Sequence, residues 1–114
     1  MGADRPGEFE LIKRFFVPLA NDPGSLGLSD DAAVLTPAEG FDLVLTKDVL
    51  AANVHFFADD APEAIAAKAL RVNLSDLAAK GARPRGYLLG LSLPQDWTVD
   101  WLERFCNGLA ADQA

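Results

Sequence analysis

Apolar residues recur every three or four positions in residues 8–19 and again in residues 99–111, which is the spacing of one helix face. The apolar positions are Phe9, Ile12, Phe16 and Leu19 in the first stretch and Trp101, Leu102, Phe105 and Leu109 in the second. Thr98 stands directly before the second stretch, where its hydroxyl can cap the first turn. The pattern predicts two amphipathic helices, each burying its apolar face.

A third helix is predicted over residues 61–80, which are mostly strong helix formers and are followed by Gly81, a common helix-ending residue. Pro62 suits the first helical position, and Asp59 or Asp60 is expected to cap the helix.

The second half of this helix carries polar residues where a core helix would carry aliphatic ones. Asn73, Ser75 and Asp76 lie in the run from Ala69 to Gly81. Residues three apart share a helix face, so Asn73 and Asp76 are expected to point the same way.

Three apolar stretches of the remaining chain predict β-strands at residues 31–36, 41–46 and 84–93. A Pro- and Gly-containing turn at residues 37–40 joins the first two as an antiparallel hairpin. In a hairpin the start of one strand lies beside the end of the other, so Asp31 is expected near Asp48.

The predicted order is helix, strand, strand, helix, strand, helix, which indicates an α+β fold. We expect an antiparallel or mixed sheet with helices packed on one face. A three-stranded sheet leaves its edges open. Either a partner subunit is expected to complete the sheet, or the chain is truncated.

Length and composition fit one globular domain. The chain has 114 residues, half of them apolar, and a net charge of −7. Its basic residues are scattered, which argues against nucleic-acid binding, and no apolar run is long enough for a membrane span. The single Cys106 fits a reducing cytoplasm and is expected to be a small buried residue. One loose basic group is interpreted as a solvated helix end, with a ligand-phosphate contact as the alternative; it comprises Arg71, Lys80, Arg83 and Arg85.

The acidic positions indicate a site for a hard cation. Asp31, Asp48 and Asp76 come from three elements, the Thr46 hydroxyl is a further oxygen donor, and Mg²⁺ prefers oxygen ligands. The alternatives are a turn acid at Asp31, a strand-ending acid at Asp48 and an i,i+4 pair of Asp76 with Lys80.

His55 is the only histidine, so a zinc site is not expected. It is either a loop histidine with one hydrogen bond or a contact to a phosphate or aromatic ligand. The chain lacks a G-x-x-x-x-G-K-[ST] motif, so no nucleotide is held by a P-loop.

Five motifs occur in order along the chain. They are Gly7-Glu8-Phe9 with Leu11-Ile12, Ser29-Asp30-Asp31-Ala32-Ala33, Thr46-Lys47-Asp48, Asn53-Val54-His55-Phe56, and the helical run from Lys68 to Ala82 followed by Pro84. Together they resemble the N-terminal domain of the thiamine-monophosphate kinase family, within the wider AIR synthetase-related group that has a PurM-like N-terminal domain. The resemblance implies ATP-dependent phosphorylation of thiamine monophosphate to thiamine diphosphate by a homodimer.

The resemblance also implies roles for individual residues. Magnesium ligands fall on Asp31, Thr46, Asp48 and Asp76. A contact to thiamine monophosphate falls on His55, and contacts to ATP are assigned to Asp30, Lys47 and Asn73. No side-chain nucleophile is expected.

Two positions depart from the family pattern. Ser29 stands where the family usually has Gly, and Lys47 stands where it often has Thr. A charged lysine cannot ligate Mg²⁺ but can meet a phosphate directly.

The family's next motif, Gly-Gly-Asp, and its second domain would follow Ala114. Residues 1–114 are therefore expected to be a truncated N-terminal ATP- and magnesium-binding domain that is inactive alone. The alternatives are another ATP-using enzyme of the same group, or a non-catalytic module for dimerisation or metal binding.

Overall fold

The computed structural model describes residues 5–29 and 32–113. Helix α1 spans Glu8–Leu11 and continues without a break as a π-helix over Ile12–Phe16 and a 3₁₀-helix over Val17–Leu19. A further 3₁₀ segment covers Pro23–Leu28. Helix α2 spans Pro62–Ala79 and helix α3 spans Val99–Gln113. The helical stretches predicted over residues 8–19, 61–80 and 99–111 are confirmed, but the first is α-helical only over Glu8–Leu11. Its predicted buried face is wrong in part, because Phe9 is 82% exposed and Phe15 is the buried residue.

Helices α2 and α3 form the centre of the molecule. Gly108 of α3 lies so close to α2 that a Cβ atom there would stand 2.7 Å from the carbonyl oxygen of Glu63 and 3.0 Å from the Cβ of Ala66. Small residues allow this close approach. The surrounding core contains Phe15, Ile65, Ala66, Leu102, Phe105, Cys106 and Leu109.

Two ion pairs join the same two helices. Near the start of α2, the Glu63 carboxylate pairs with the Arg104 guanidinium, with N–O distances of 2.9 and 3.1 Å. Eight residues further along, the Arg71 guanidinium pairs with the Asp112 carboxylate, with N–O distances of 2.9 and 3.0 Å. The partners rise together along both helices, so α2 and α3 run parallel. The arginine of each pair is exposed, so solvent screens both pairs and each is expected to contribute little to stability.

Nearby residues terminate the long helices as the sequence predicts, except at the start of α2. Thr98 caps α3, because its Oγ1 accepts a hydrogen bond from the Trp101 backbone N–H at 3.1 Å. Gly81 adopts a φ of +69° at the end of α2, and the backbone N–H of Ala82 donates to the carbonyl oxygen of Leu77, which completes a Schellman motif.

The exception is the predicted cap of α2 by Asp59 or Asp60, which is wrong. Residue Ala61 occupies the N-cap position without a side-chain hydrogen bond. The Oδ2 atom of Asp60 accepts from the backbone N–H of Phe57 at 2.9 Å, so this carboxylate closes the preceding turn instead.

The predicted α+β fold, with a sheet completed by dimerisation, is contradicted by the structure. Within the described residues the only β-type pairing is an isolated bridge between Ala52 and Phe56. The described residues of the stretches predicted as strands form no ladder, and many of their apolar side chains are exposed, with Phe41 at 73%, Leu45 at 87% and Leu88 at 88%.

The reason is that a strand needs a neighbouring backbone, which the apolar pattern does not supply. The backbone N–H of Val34 donates to the carbonyl oxygen of Gly24 at 2.8 Å and not to a facing strand. Only the turn of the predicted hairpin forms, where the N–H of Phe41 donates to Ala38 at 3.1 Å. Among the described residues, no helix has both the length and the hydropathy to cross a membrane.

Candidate functional site

Two of the predicted ligands lie side by side. The Oγ1 atom of Thr46 stands 3.5 Å from Oδ2 of Asp76, a long and exposed hydrogen bond. Thr46 lies in the irregular stretch before α2, and Asp76 lies on the last full turn of α2. The structure therefore brings together one residue from each of two predicted motifs.

Asn73 lies one turn before Asp76 on the same helix. Its Nδ2 atom donates to the backbone carbonyl of Ala69 at 2.9 Å. Its Oδ1 atom is buried and, within the described residues, has no hydrogen-bond partner. A buried acceptor without a partner costs roughly 1–3 kcal/mol. A ligand that supplied a donor or a cation would remove that cost.

The other residues predicted for this site are Lys47 and Asp48, which directly follow Thr46 in the sequence, and Asp30 and Asp31. Lys47 and Asp48 are exposed beside Thr46, and Asp30 and Asp31 lie outside the described residues. In residues 5–29 and 32–113, no three His, Cys, Asp or Glu side chains cluster closely enough to hold a metal ion. The three-carboxylate magnesium site stays a prediction. The expected hairpin between the first two strands does not form.

His55 sits in a compact loop that is closed by its own hydrogen bonds. The Nδ1 atom of His55 accepts from the backbone N–H of Ala51 at 3.0 Å, and the N–H of His55 donates to the carbonyl oxygen of Ala51 at 3.0 Å. The N–H of Asn53 donates to the carbonyl oxygen of Phe56 at 2.6 Å. Since Nδ1 accepts, the neutral ring carries its proton on Nε2, which makes Nε2–H the hydrogen-bond donor of the ring.

The loop is attached to α2 by a residue that sequence reasoning did not single out. The ammonium group of Lys68 donates to the backbone carbonyl oxygen of His55. On the apolar side, Phe56 is half-buried against the core. In the sequence Lys68 is only the first residue of the helical motif, and nothing assigns it a role there, because an exposed lysine in a helix is ordinary.

Two of the four residues of the basic group near the end of α2 form ion pairs. Arg71 binds Asp112, and Arg85 binds Asp22 in the turn before the 3₁₀ segment. The backbone N–H of Gly24 and the Arg85 guanidinium hold the pKa of Asp22 below its usual value. These pairings favour a structural role for both arginines over a ligand-phosphate contact.

A cavity of about 430 Å³ lies apart from these groups, between the first helical region and α3. Phe15, Leu19, Cys106 and Ala110 line much of it, with Arg14 at its border. Burial raises the pKa of the Cys106 thiol to about 11. Cys106 is thus a small buried residue, as predicted, and not a poised nucleophile.

Comparison with known proteins gives a consistent family assignment. A family model described as AIR synthase related protein, N-terminal domain, matches residues 29–114. A thiamine-monophosphate kinase of Caulobacter vibrioides is 51% identical over 110 residues, and one of Escherichia coli strain K12 is 46% identical over 105 residues. A thiamine-monophosphate kinase of Haemophilus influenzae is 41% identical over 105 residues.

These alignments cover 96%, 90% and 90% of this chain, but only 31%, 32% and 32% of the respective relatives. The chain therefore spans about a third of the length of the curated relatives that it matches. No solved structure matches the chain.

Proposed function

We propose, since this chain belongs to the AIR synthase related protein N-terminal domain family, that it is the ATP- and magnesium-binding part of a thiamine-monophosphate kinase. The reaction would move the terminal phosphoryl group of ATP onto the phosphate of thiamine monophosphate and yield thiamine diphosphate. Three relatives of that name, 41–51% identical to the chain, support this choice.

The observation that carries the proposal is the contact between Thr46 and Asp76. Two oxygen-bearing side chains from distant segments meet at an exposed position. One turn away, Asn73 contributes a buried oxygen that has no hydrogen-bond partner among the residues that the structure describes. Nothing in the packing of the core requires this grouping, because the helix contacts lie on other residues. A polar group that is not needed for packing is expected to serve a ligand.

The donor set suits magnesium. Carboxylate, hydroxyl and amide oxygens are hard ligands, and in this proposal Thr46 and Asp76 hold Mg²⁺ together with Asp31 and Asp48. Bound magnesium would offset the negative charge of the ATP phosphates. Asp30, Lys47 and Asn73 are proposed to contact ATP, Lys47 by meeting a phosphate with its ammonium group.

The residues of this chain would act by positioning the reactants. Phosphoryl transfer depends on alignment and on compensation of charge, and no covalent intermediate with the protein is needed. His55, with its proton on Nε2, would donate a hydrogen bond to thiamine monophosphate. We further propose that the protein is a homodimer and that it acts in the cytoplasm, where reducing conditions keep a single cysteine such as Cys106 as a free thiol.

The test is formation of thiamine diphosphate from thiamine monophosphate, ATP and Mg²⁺. The 114-residue chain is assayed beside the gene product read through to its stop codon. We expect product from the longer protein and none from the 114-residue chain. A folded longer protein that forms no thiamine diphosphate would refute the proposal.

The second candidate function is ATP-dependent chemistry on another acceptor. It follows from the breadth of the matching family model, which is described by its relation to AIR synthase. The same assay separates the two, because release of ADP that depends on an added acceptor other than thiamine monophosphate would favour the second candidate.

A further inference from the structure

We propose that Lys68 is a positioning residue that fixes the His55 loop, residues 51–57, to helix α2 and so sets where the imidazole stands relative to Asp76. The proposal rests on the proposed function in one respect, namely that His55 contacts the substrate. Lys68 itself is not proposed to touch substrate or ATP.

The first step is that the loop holds His55 internally. The ring accepts from the N–H of Ala51, and a second hydrogen bond joins Asn53 to Phe56. Asn53 adopts a φ of +64°, which turns the chain sharply within the loop. Because these contacts are all local, they fix the ring relative to the loop but not relative to the rest of the protein.

The second step is that Lys68 provides the polar attachment to α2. Its ammonium group donates to the carbonyl oxygen of His55, the residue whose ring is to be placed. The packing of Phe56 against the core is apolar and does not fix direction. A hydrogen bond from a charged donor is directional and is stronger than one between neutral groups.

The third step is that α2 also carries the acidic group. Lys68 and Asp76 are eight residues apart, which is about 12 Å along the axis and about 80° around it. One helix thus bears the attachment of the His55 loop and the carboxylate that faces Thr46. Loss of the Lys68 contact would leave Asp76 in place and release the loop.

The direct test uses the fact that His55 is the only histidine of the 114-residue chain. Labelling histidine with ¹³C at the backbone carbonyl gives one resonance, which reports the hydrogen bond from Lys68. We expect Lys68→Met, which keeps the apolar stem, to move this resonance upfield. Lys80→Met is the matched control, because it lies about 18 Å further along the helix. An unmoved resonance in Lys68→Met, with helical content retained, would overturn the attachment.

The functional test is a double-mutant cycle in the longer protein. Lys68→Met is expected to raise the KM for thiamine monophosphate about fivefold, the effect of losing about 1 kcal/mol, with kcat changed less than KM. In a His55→Ala background the same substitution should change KM by less than about twofold. Lys68→Arg is expected to restore most of the KM.

Equal effects of Lys68→Met in both backgrounds would show that Lys68 does not act through His55 and would overturn the proposal. The two failures can be told apart. A moved carbonyl resonance in a protein that cannot make thiamine diphosphate refutes the proposed function alone, whereas an unmoved resonance in an active enzyme refutes the role of Lys68 alone.

Discussion

The hydroxyl oxygen of Thr46 lies 3.5 Å from the carboxylate oxygen Oδ2 of Asp76, although the two residues are 30 positions apart in the sequence. The contact is long and exposed, so it contributes little to stability. The contact matters for ligand binding, since a hydroxyl oxygen and a carboxylate oxygen from separate segments lie together, and both can ligate a cation.

Replacing Asp76 by Asn in the longer protein should lower kcat/KM for thiamine diphosphate formation by about 10²–10³-fold. The change keeps the size of the side chain but removes the negative charge that a cation requires. Ser75→Ala is the control, because Ser75 is the exposed neighbour on the same helix turn. Turnover that is unchanged in Asp76→Asn would remove Asp76 from the mechanism.

Replacing His55 by Ala should raise the KM for thiamine monophosphate about tenfold and leave kcat within about threefold. The reason is that the Nε2–H of the neutral ring is the free donor of the loop, while Nδ1 is engaged by Ala51. Steady-state kinetics with varied thiamine monophosphate at saturating ATP measure the split. A KM equal to that of the wild type would refute the substrate contact.

Replacing Gly108 by Ala should destabilise the chain by about 1–3 kcal/mol, because the new methyl group would meet the backbone of Glu63 at less than 3 Å. The better helix propensity of alanine offsets only about 1 kcal/mol of this. Urea unfolding followed by circular dichroism measures the difference. Asn107→Ala, on the exposed side of the same turn, is the control and should be neutral or slightly stabilising. A Gly108→Ala variant as stable as this control would contradict the close approach of α2 and α3.

Cys106 should resist alkylation in the folded chain. Burial raises the pKa of its thiol from 9.0 to about 11, so at pH 8 the reactive thiolate is about 100-fold scarcer than in the unfolded chain. The rate of reaction with iodoacetamide is measured in buffer and in about 8 M urea, which unfolds the chain. The quotient of the two rates gives the relative amount of thiolate. Similar rates under both conditions would contradict the burial of Cys106.

Local signals predicted the helices well. The apolar spacing gave residues 99–111 for α3, which spans Val99–Gln113, and Thr98 caps it. Gly81 ends α2 as expected, because the positive φ that it adopts is accessible to glycine at no cost. These features depend only on residues within one or two turns, so the sequence contains all the information that they need.

Features that depend on distant partners were predicted poorly. The strands were wrong because a ladder is specified by two segments together, and Val34 finds Gly24 as its backbone partner. One local prediction also failed: Asp59 or Asp60 was expected at the N-cap of α2, but Oδ2 of Asp60 accepts from the backbone N–H of Phe57, three residues before it. Thr46 and Asp76 were both assigned to one cation site, which stays a prediction, and they lie 3.5 Å apart. Lys68 was not assigned a role, since its partner is a backbone carbonyl that no side-chain pattern reveals.

The two ion pairs between α2 and α3 stand eight residues apart on both helices, Glu63 with Arg104 and Arg71 with Asp112. Because the spacing is equal, both ion pairs form in the same alignment of α2 along α3. A slip of α2 by one turn would break both pairs at once and carry Asp76 about 5.4 Å along the axis. That displacement exceeds twice the length of a magnesium–oxygen bond, about 2.1 Å. The two ion pairs therefore favour the same register of α2 against α3 as the close packing of Gly108 on Glu63 and Ala66, and this register fixes the height of Asp76 along the helix pair.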